Sequence, residues 1–416
     1  MISKKLLIVL GTIVMLIGLV LSASAYGQPA KTLKIGGTMP LNVGLGIETK
    51  KCWELLVDYI NKTGGLVIKG QRYNLELIIY DDKYTADGGK SGVERLIYQD
   101  KCKYIIGMIG SAPTYAAVAV TEPEKALLIS GCASDKIVRS QFKYTVRIGQ
   151  LPSIVASNWG YLGKKYPHLS TYGFIMPDDE TARGSAREQK QALAAFGKKL
   201  KDEMYYARGT TDFSAVATRM KTANPDFVFF PGSAGETEYG LQLKTLYEAG
   251  YRGLRVSSIF HKDIIKMVAT NEQIEGVVAP VLASNLPREK RNENSLLIEK
   301  LYTEKYGKFS AIGVLWMKPL YGFLAAVKKA DSLDVDGIMA AFAGLEFKDA
   351  HGNNLLVRRP DLGVNRYIDT IMCDYLGVVR NGEVVYDETL STLESKGGTG
   401  HGKTCCVQAM WEAFCA

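Results

Sequence analysis

From residue 32 onward, short apolar runs alternate with stretches of helical periodicity, and that alternation limits the fold more than any other feature. TLKIGGTMPL (32–41), YNLELIIYDD (73–82), KYIIGMIGS (103–111), KALLISGCAS (125–134) and KYTVRIGQ (143–150) read as strands. Between them lie helical stretches: 46–62, with Trp53, Leu56, Val57 and Ile60 on one face, then 85–100, then a third from Pro113. Such a pattern implies a mostly parallel sheet covered on both faces. It resumes after 150: helix 153–165, strand 170–179, helix 183–197, a strand near Met204, helix 212–223, strand 225–233, helix 236–249, and strands 253–260 and 275–283. Two α/β lobes of similar size follow, without a tandem repeat of sequence. Helices are then expected in LLIEKLYTEKYGKF, in AIGVLWMKPLYGFLAAVKKADSLD, and in DVDGIMAAFAGLEF with Asp334 as N-cap. The segment after Phe347 is β-like: NNLLVRR, RYIDTIMCDYLGVV and GEVVYDE.

The first residues place this chain outside the cytoplasm. Lys4 and Lys5 precede the uncharged run Leu6–Leu21, and Ala23-Ser24-Ala25 is a small-x-small cleavage pattern. The apolar run is short for a membrane span of ~20 residues, so a cleaved signal over 1–25 is expected rather than a retained anchor. No Cys sits at the cleavage point to carry a lipid. The formal charge of +8 drops by two when Lys4 and Lys5 leave, and the remaining cations are scattered, which argues against a nucleic-acid partner. Seven Cys, an odd number, leave at least one thiol unpaired in a monomer. Neither they nor the four dispersed His show zinc spacing, so no metal or other cofactor is expected.

GGTGHGKT (397–404) matches G-x-x-x-x-G-K-[ST], a phosphate-cradling loop. That loop requires a buried strand before it and a helix within an α/β domain after it. ETLSTLESK precedes it, polar throughout, and only twelve residues follow Thr404. The match reads as coincidence in a Gly-rich, Cys-containing tail (389–416) expected to be poorly ordered.

In open α/β sheets, ligands bind beyond the carboxyl ends of the strands. The loops there read PLNVGLG, DDKYTADG, IGSAPTY, SGCASDK, PDDETARG, PGSAGE and SSIFHKD. Their small residues let a ligand approach backbone N–H groups, and most lead into helix N-termini, which favour anions. No Ser-His-Asp order or nucleophile elbow appears, and Asp81-Asp82 and Asp178-Asp179 read as solvated strand ends. A binding protein is expected, not an enzyme.

KIGGTMPL…LLVDYINKTGGLVIKGQRYNLELIIYDDKYTADGGKSGVERLIYQDKCKYIIGMIGS resembles the first lobe of the periplasmic solute-binding proteins for branched-chain amino acids, the extracytoplasmic receptors of ABC importers. The resemblance continues through LLISGCASDKI, FKYTVRIGQLPS, GTTDFSAVATRMKTANPDFVFFPG, LYTEKYGK and KKADSLDVDGIMAAF, over about residues 32–388. It implies a type I periplasmic binding protein: two doubly wound α/β lobes joined by three crossings that close on a ligand like a hinge. The crossings are placed near Gly149–Pro152, Ala279–Ala283 and Leu355–Pro360. The first lobe then comprises 26–149 and 281–356, and the second 150–280 and 357–388. A monomer working with an inner-membrane ABC permease is implied. A ligand sensor of the same fold is the alternative, and a tail NTPase a remote one.

The resemblance also assigns the site. Ser111, with Ala112 and Tyr115 beside it, matches the family's carboxylate-binding Ser, while Cys132, Ala133 and Ser134 match its backbone-and-hydroxyl pair. Such donors suit a carboxylate or a carbonyl oxygen. Ser111 and Ser134 are also natural helix caps, a role that coexists with binding. Thr181 and Ser233 stand where amino-acid binders often carry aromatics, and Ile259 or Phe260 where they often carry the acid for the ligand ammonium. Glu236 or Asp263 is the available substitute. The expected ligand is a small carboxylate or amide with an apolar or aromatic body packed near Phe260 and Tyr115.

Overall fold

The computed structural model describes residues 29–149, 162–163, 165–231, 236–258, 260–281, 286–372 and 375–387. The expected leader, the Cys-containing tail with GGTGHGKT, and the part of the expected first crossing beyond Gly149 lie outside the described residues.

Two largely parallel sheets form where the sequence is most apolar. In the first, β1 (Lys31–Met39), β3 (Gln71–Asp81), β4 (Tyr104–Gly107), β5 (Leu127–Ser130) and β6 (Thr145–Arg147) run parallel in the order β3-β1-β4-β5-β6, and short β2 (Leu66–Ile68) pairs antiparallel outside β3. YIIG of β4 and LLIS of β5 are buried at every position, as strands covered on both faces require. Helix α1 (Gly44–Lys62) covers one face through Trp53 and Leu56. Helices α2 (Ala86–Tyr98) and α3 (Ser111–Thr121) cover the other, packing Val93, Leu96, Ala117 and Val118 on Ile105 and Leu128.

The second sheet repeats the arrangement. β7 (Thr171–Pro177), β8 (Lys199–Tyr206), β9 (Phe227–Phe230), β10 (Leu254–Ser257) and β11 (Val278–Pro280) run parallel in the order β8-β7-β9-β10-β11. FVFF of β9 is fully buried at its centre, whereas KLKDEMYY of β8 exposes Lys199 and Lys201 along the edge, where charge discourages further pairing. Helices α4 (Glu180–Ala195), α5 (Ser214–Ala223) and α6 (Glu236–Glu248) connect these strands.

After β11 the chain goes back to the first sheet. Helix α7 (Glu293–Tyr306) packs Ile298 and Tyr302 beside α1, a 3₁₀ segment Ala311–Trp316 follows, and α8 (Lys318–Ala330) inserts Leu320 and Phe323 into the same core. Helix α9 (Val335–Ala341) begins where Asp334 accepts from the Gly337 N–H, the expected cap.

The third crossing is corrected. Leu355–Pro360 is not a passage between lobes: β13 (Asn353–Arg359) turns through Pro360–Gly363 into β14 (Val364–Met372), forming with β12 (Glu346–Lys348) an antiparallel sheet. Val364 and Ile368 pack with Cys132 and Val138 on the first lobe's side. The chain joins the second sheet only at β15 (Leu376–Arg380), which pairs antiparallel with β11 and carries β16 (Glu383–Tyr386). Pro-Asp-Leu-Gly is a turn signal, with Gly363 at φ +69°, and serves a hairpin rather than a hinge.

Counted in chain order, the parallel strands of both sheets run 2-1-3-4-5. The switch points, where ligands gather in such sheets, lie between β1 and β4 and between β7 and β9.

Candidate functional site

The two switch points meet. Ser111 opens α3 directly after β4, and Thr181 lies in the first turn of α4 directly after β7. The Ser111 N–H donates to Thr181 Oγ1 at 3.2 Å, joining one lobe to the other. The loop after β5 completes the group: Ser134 N–H donates to Ser111 Oγ at 3.1 Å, and Ser134 Oγ donates to Glu180 Oε1 at 2.8 Å. Ser134 also caps the 3₁₀ turn 135–137 by accepting from Lys136 N–H, beside its cross-lobe bond to Glu180.

Helix α4 supplies one whole side of this contact. Glu180, Thr181, Gly184, Arg187 and Glu188 fall on one face at helical spacing. Lys136 Nζ donates to Glu180 Oε2 at 2.7 Å, and Arg187 Nη2 to Asp135 Oδ1 at 2.8 Å and Glu180 Oε1 at 3.1 Å. Burial alone would raise the Glu180 carboxyl, but the hydrogen bonds from Lys136, Ser134 and Arg187 outweigh it and hold the group below its ordinary value. A Cβ on Gly184 would lie 2.8 Å from Ser134 Cα, so glycine sets how closely the helix seats. Ala133 packs with Ala182 and Ala186 of the same helix.

Behind the loop lies a buried ion cluster. Arg147, at the end of β6, donates through Nη1 to Ala133 O (2.9 Å), through Nε and Nη2 to the Asp369 carboxylate (2.9 and 2.6 Å), and through Nη2 to Glu188 Oε1 (2.9 Å). Arg359 of β13 reaches Asp369 Oδ2 at 2.8 Å and Glu188 Oε1 at 3.3 Å, and also holds Asp361. Burial by itself would depress the Arg147 guanidinium, but Asp369 and then Glu188 override it and raise its pKa. The cluster ties β6, α4 and the β13–β14 hairpin to the carbonyl of a loop residue that the sequence assigns to binding.

Apolar walls stand beside these donors. Leu45, Ile109 and Ile312 pack with Tyr84 and Trp316, and the Trp316 ring lies so close to Gly131 that a Cβ there would meet it at 2.8 Å. Lys83 (φ +52°), Tyr84 (φ +62°) and Met108 (φ +51°) hold left-handed backbone around the same lip, a strain that accompanies constrained sites. From the second lobe, Arg208 sits 5.5 Å from the Tyr84 ring centroid and donates to Asp179 Oδ2 at 2.5 Å. Glu238, buried at the start of α6, accepts from Gly209 N–H and, at 3.3 Å, from Tyr206 Oη.

The expected residues therefore divide. Ser111, Ala133, Ser134 and Thr181 come together, with Ala112 half-buried in the first turn of α3. Cys132 is fully buried and donates its N–H to Ser130 Oγ at 3.1 Å, and burial pushes its thiol pKa up. Tyr115 is 51% exposed, and Phe260 is 2% exposed with its ring edge-on to Tyr239 inside the second lobe's own core. Neither joins the group, and Tyr84 and Trp316 supply the aromatic surface instead. Ser233 and Ile259 lie outside the described residues, as does the Glu236 side chain. Asp263 is exposed and faces Lys308 at 3.7 Å. Glu180, Arg147, Glu188 and Arg208 were missed. The one signal for Arg147 was a charge inside the strand TVRIG, where burial demands a partner. Among the described residues no cluster of His, Cys, Asp or Glu is arranged to hold a metal, and no helix is long and apolar enough to cross a membrane.

Residues 37–366 match the family described as periplasmic binding protein. The chain belongs to that family. It is 25% identical over 345 residues to the leucine-, isoleucine-, valine-, threonine- and alanine-binding protein of Pseudomonas aeruginosa, covering 79% of this chain and 87% of the relative. In structure it resembles the branched-chain amino acid transporter substrate-binding protein LivJ of Streptococcus pneumoniae in complex with isoleucine (TM-score 0.68, 20% identity, 86% of this chain and 99% of the other). It resembles equally a solute-binding protein of Rhodopseudomonas palustris in complex with benzoate (TM-score 0.68, 16% identity, 85% and 95%). These two likenesses establish the type I periplasmic binding fold that the sequence implied.

Proposed function

We propose that this protein is the extracytoplasmic receptor of an ABC importer and captures a small carboxylate- or amide-bearing ligand between its lobes. The observation that carries the reading is the meeting of the two switch points, which brings Ser111, Ser134 and the start of α4 to one place. Hydroxyl and backbone donors there suit a carboxylate or carbonyl oxygen. The ligand's apolar body packs against Trp316 and Tyr84, the partly buried aromatics of the first lobe's lip. Proteins of similar fold bound to isoleucine and to benzoate support a ligand of either the aliphatic amino-acid or the aromatic-acid class. The leader, a monomeric state and an inner-membrane permease partner belong to the same reading.

Thermal shift of the mature protein tests it, because a ligand bound only to the native state raises the melting temperature by mass action. Branched-chain amino acids, benzoates, short amides and ATP with magnesium form the panel. A shift with any of the first three classes supports the reading, and a shift with ATP alone refutes it. Trp316→Ala is expected to weaken an aromatic carboxylate by about tenfold or more, roughly 1.4 kcal/mol, because the largest flat surface beside the donors is removed.

A further inference from the structure

Three of the donors gathered at this place already have acceptors within the protein. Ser111 N–H reaches Thr181 Oγ1, Ser134 N–H reaches Ser111 Oγ, and Ser134 Oγ reaches Glu180 Oε1 at 2.8 Å. The last acceptor is itself a carboxylate, the chemical group the site would capture, and it comes from the opposite lobe. We propose that Glu180 is a specificity-determining residue of the cleft: a built-in competitor that occupies the carboxylate position at Ser134 until a ligand displaces it, while its ion pair with Lys136 keeps the lobes joined. The inference rests on the function proposed above.

The chemistry supports competition rather than sharing. A serine hydroxyl carries one proton and donates one strong hydrogen bond, so Ser134 Oγ cannot serve Glu180 and a ligand oxygen together. Displacement does not strand a charge, because Lys136 Nζ (2.7 Å) and Arg187 Nη2 (3.1 Å) hold Glu180 independently of Ser134. Thr181 makes the close approach possible. Its short side chain lets the first turn of α4 reach Ser111, and Gly184 lets the next turn seat on Ser134. A tethered carboxylate competes at a high effective concentration, so a free carboxylate pays for the exchange in apparent affinity. If the competent, released form is about a tenth of the population, removing the tether tightens binding about tenfold. Ligands with enough apolar surface to engage Trp316 and Tyr84 offset the exchange, and small acids such as acetate do not.

The experiment compares full-length mature wild type, Glu180→Ala and Glu180→Gln, freed of ligand by unfolding and refolding. Each is titrated calorimetrically with benzoate and with isoleucine, and small-angle scattering is recorded without ligand. Glu180→Ala is expected to bind whichever probe wild type binds about tenfold tighter and to scatter as a more open particle, with Glu180→Gln between the two. Should the alanine variant misfold, the glutamine variant carries the same comparison. Unchanged or weaker binding by the variants overturns the competitor, and wild-type binding in that case leaves the receptor reading intact. Failure of all three proteins to bind either probe overturns the competitor, and the receptor reading falls with it if short amides also leave the melting temperature unmoved.

Discussion

Arg147, Arg359, Glu188 and Asp369 are buried together at the junction of three chain segments, and each charge depends on the others. With Asp361 also bound to Arg359, two guanidiniums face three carboxylates, so deleting an arginine leaves uncompensated buried charge rather than a lost contact. Arg147→Ala is therefore expected to cost about 3–5 kcal/mol, read as a lowered urea midpoint, whereas the exposed pair Lys300–Glu304 at 3.9 Å should contribute within error of zero. His261 gives a second residue-level test. Burial is the main cause that lowers its pKa to about 4, only weakly opposed by the charge of Asp263. The unfolded chain takes up a proton near pH 6.5 while the folded one does not, so the stability this group contributes is full above pH 6.5 and is lost as pH falls toward 4. The difference corresponds to roughly 3 kcal/mol. His261→Phe should flatten that part of the stability–pH curve, and an unchanged slope would contradict the assignment.

At the scale of elements, α4 is the piece that belongs to one lobe by sequence and to both by contact. Gly184→Ala tests it with two opposing effects. Alanine favours a helix over glycine by about 1 kcal/mol, but its methyl would stand 2.8 Å from Ser134 Cα, and overpacking of that kind costs about 1–3 kcal/mol. The clash should win, giving lower stability and faster proteolysis between the lobes, and a stabilised variant would show that the helix seats less closely than described. The alternation of apolar runs and helices was legible because buried strands such as FVFF and YIIG cannot be hidden in a sequence. The start of α4 was not: Glu180 and Thr181 read as loop, yet Asp179 caps the helix by accepting from Ala182 N–H at 2.9 Å. The β13–β14 hairpin was misread as a crossing because a turn signal does not say which sheet the next strand joins. Ser111 and Ser134 were singled out through the family resemblance, and the structure brings the two together. Their partners Glu180 and Thr181 were not paired with them, since contacts across 46 and 70 residues of chain depend on how the lobes seat, which local pattern does not encode.

For the molecule as a whole, two doubly wound sheets present their switch points to each other, and the segments that run between them carry the buried ion cluster. Arg147 bonds both the Ala133 carbonyl of the binding loop and Glu188 of α4, so loop and opposite lobe share one guanidinium. Under the proposed function, that sharing is expected to couple closure of the lobes to ligand capture. Under the proposed function, the place where Ser111, Ser134 and α4 converge holds a small carboxylate or amide. Calorimetric titration of the mature protein with isoleucine and with benzoate, repeated on Ser111→Ala, tests it most directly. The account predicts one-to-one binding of at least one of them and its weakening by about tenfold or more in the variant, roughly 1.4 kcal/mol for a lost hydrogen bond to a charged group. Tight binding that is indifferent to Ser111 would place the ligand elsewhere and contradict the account.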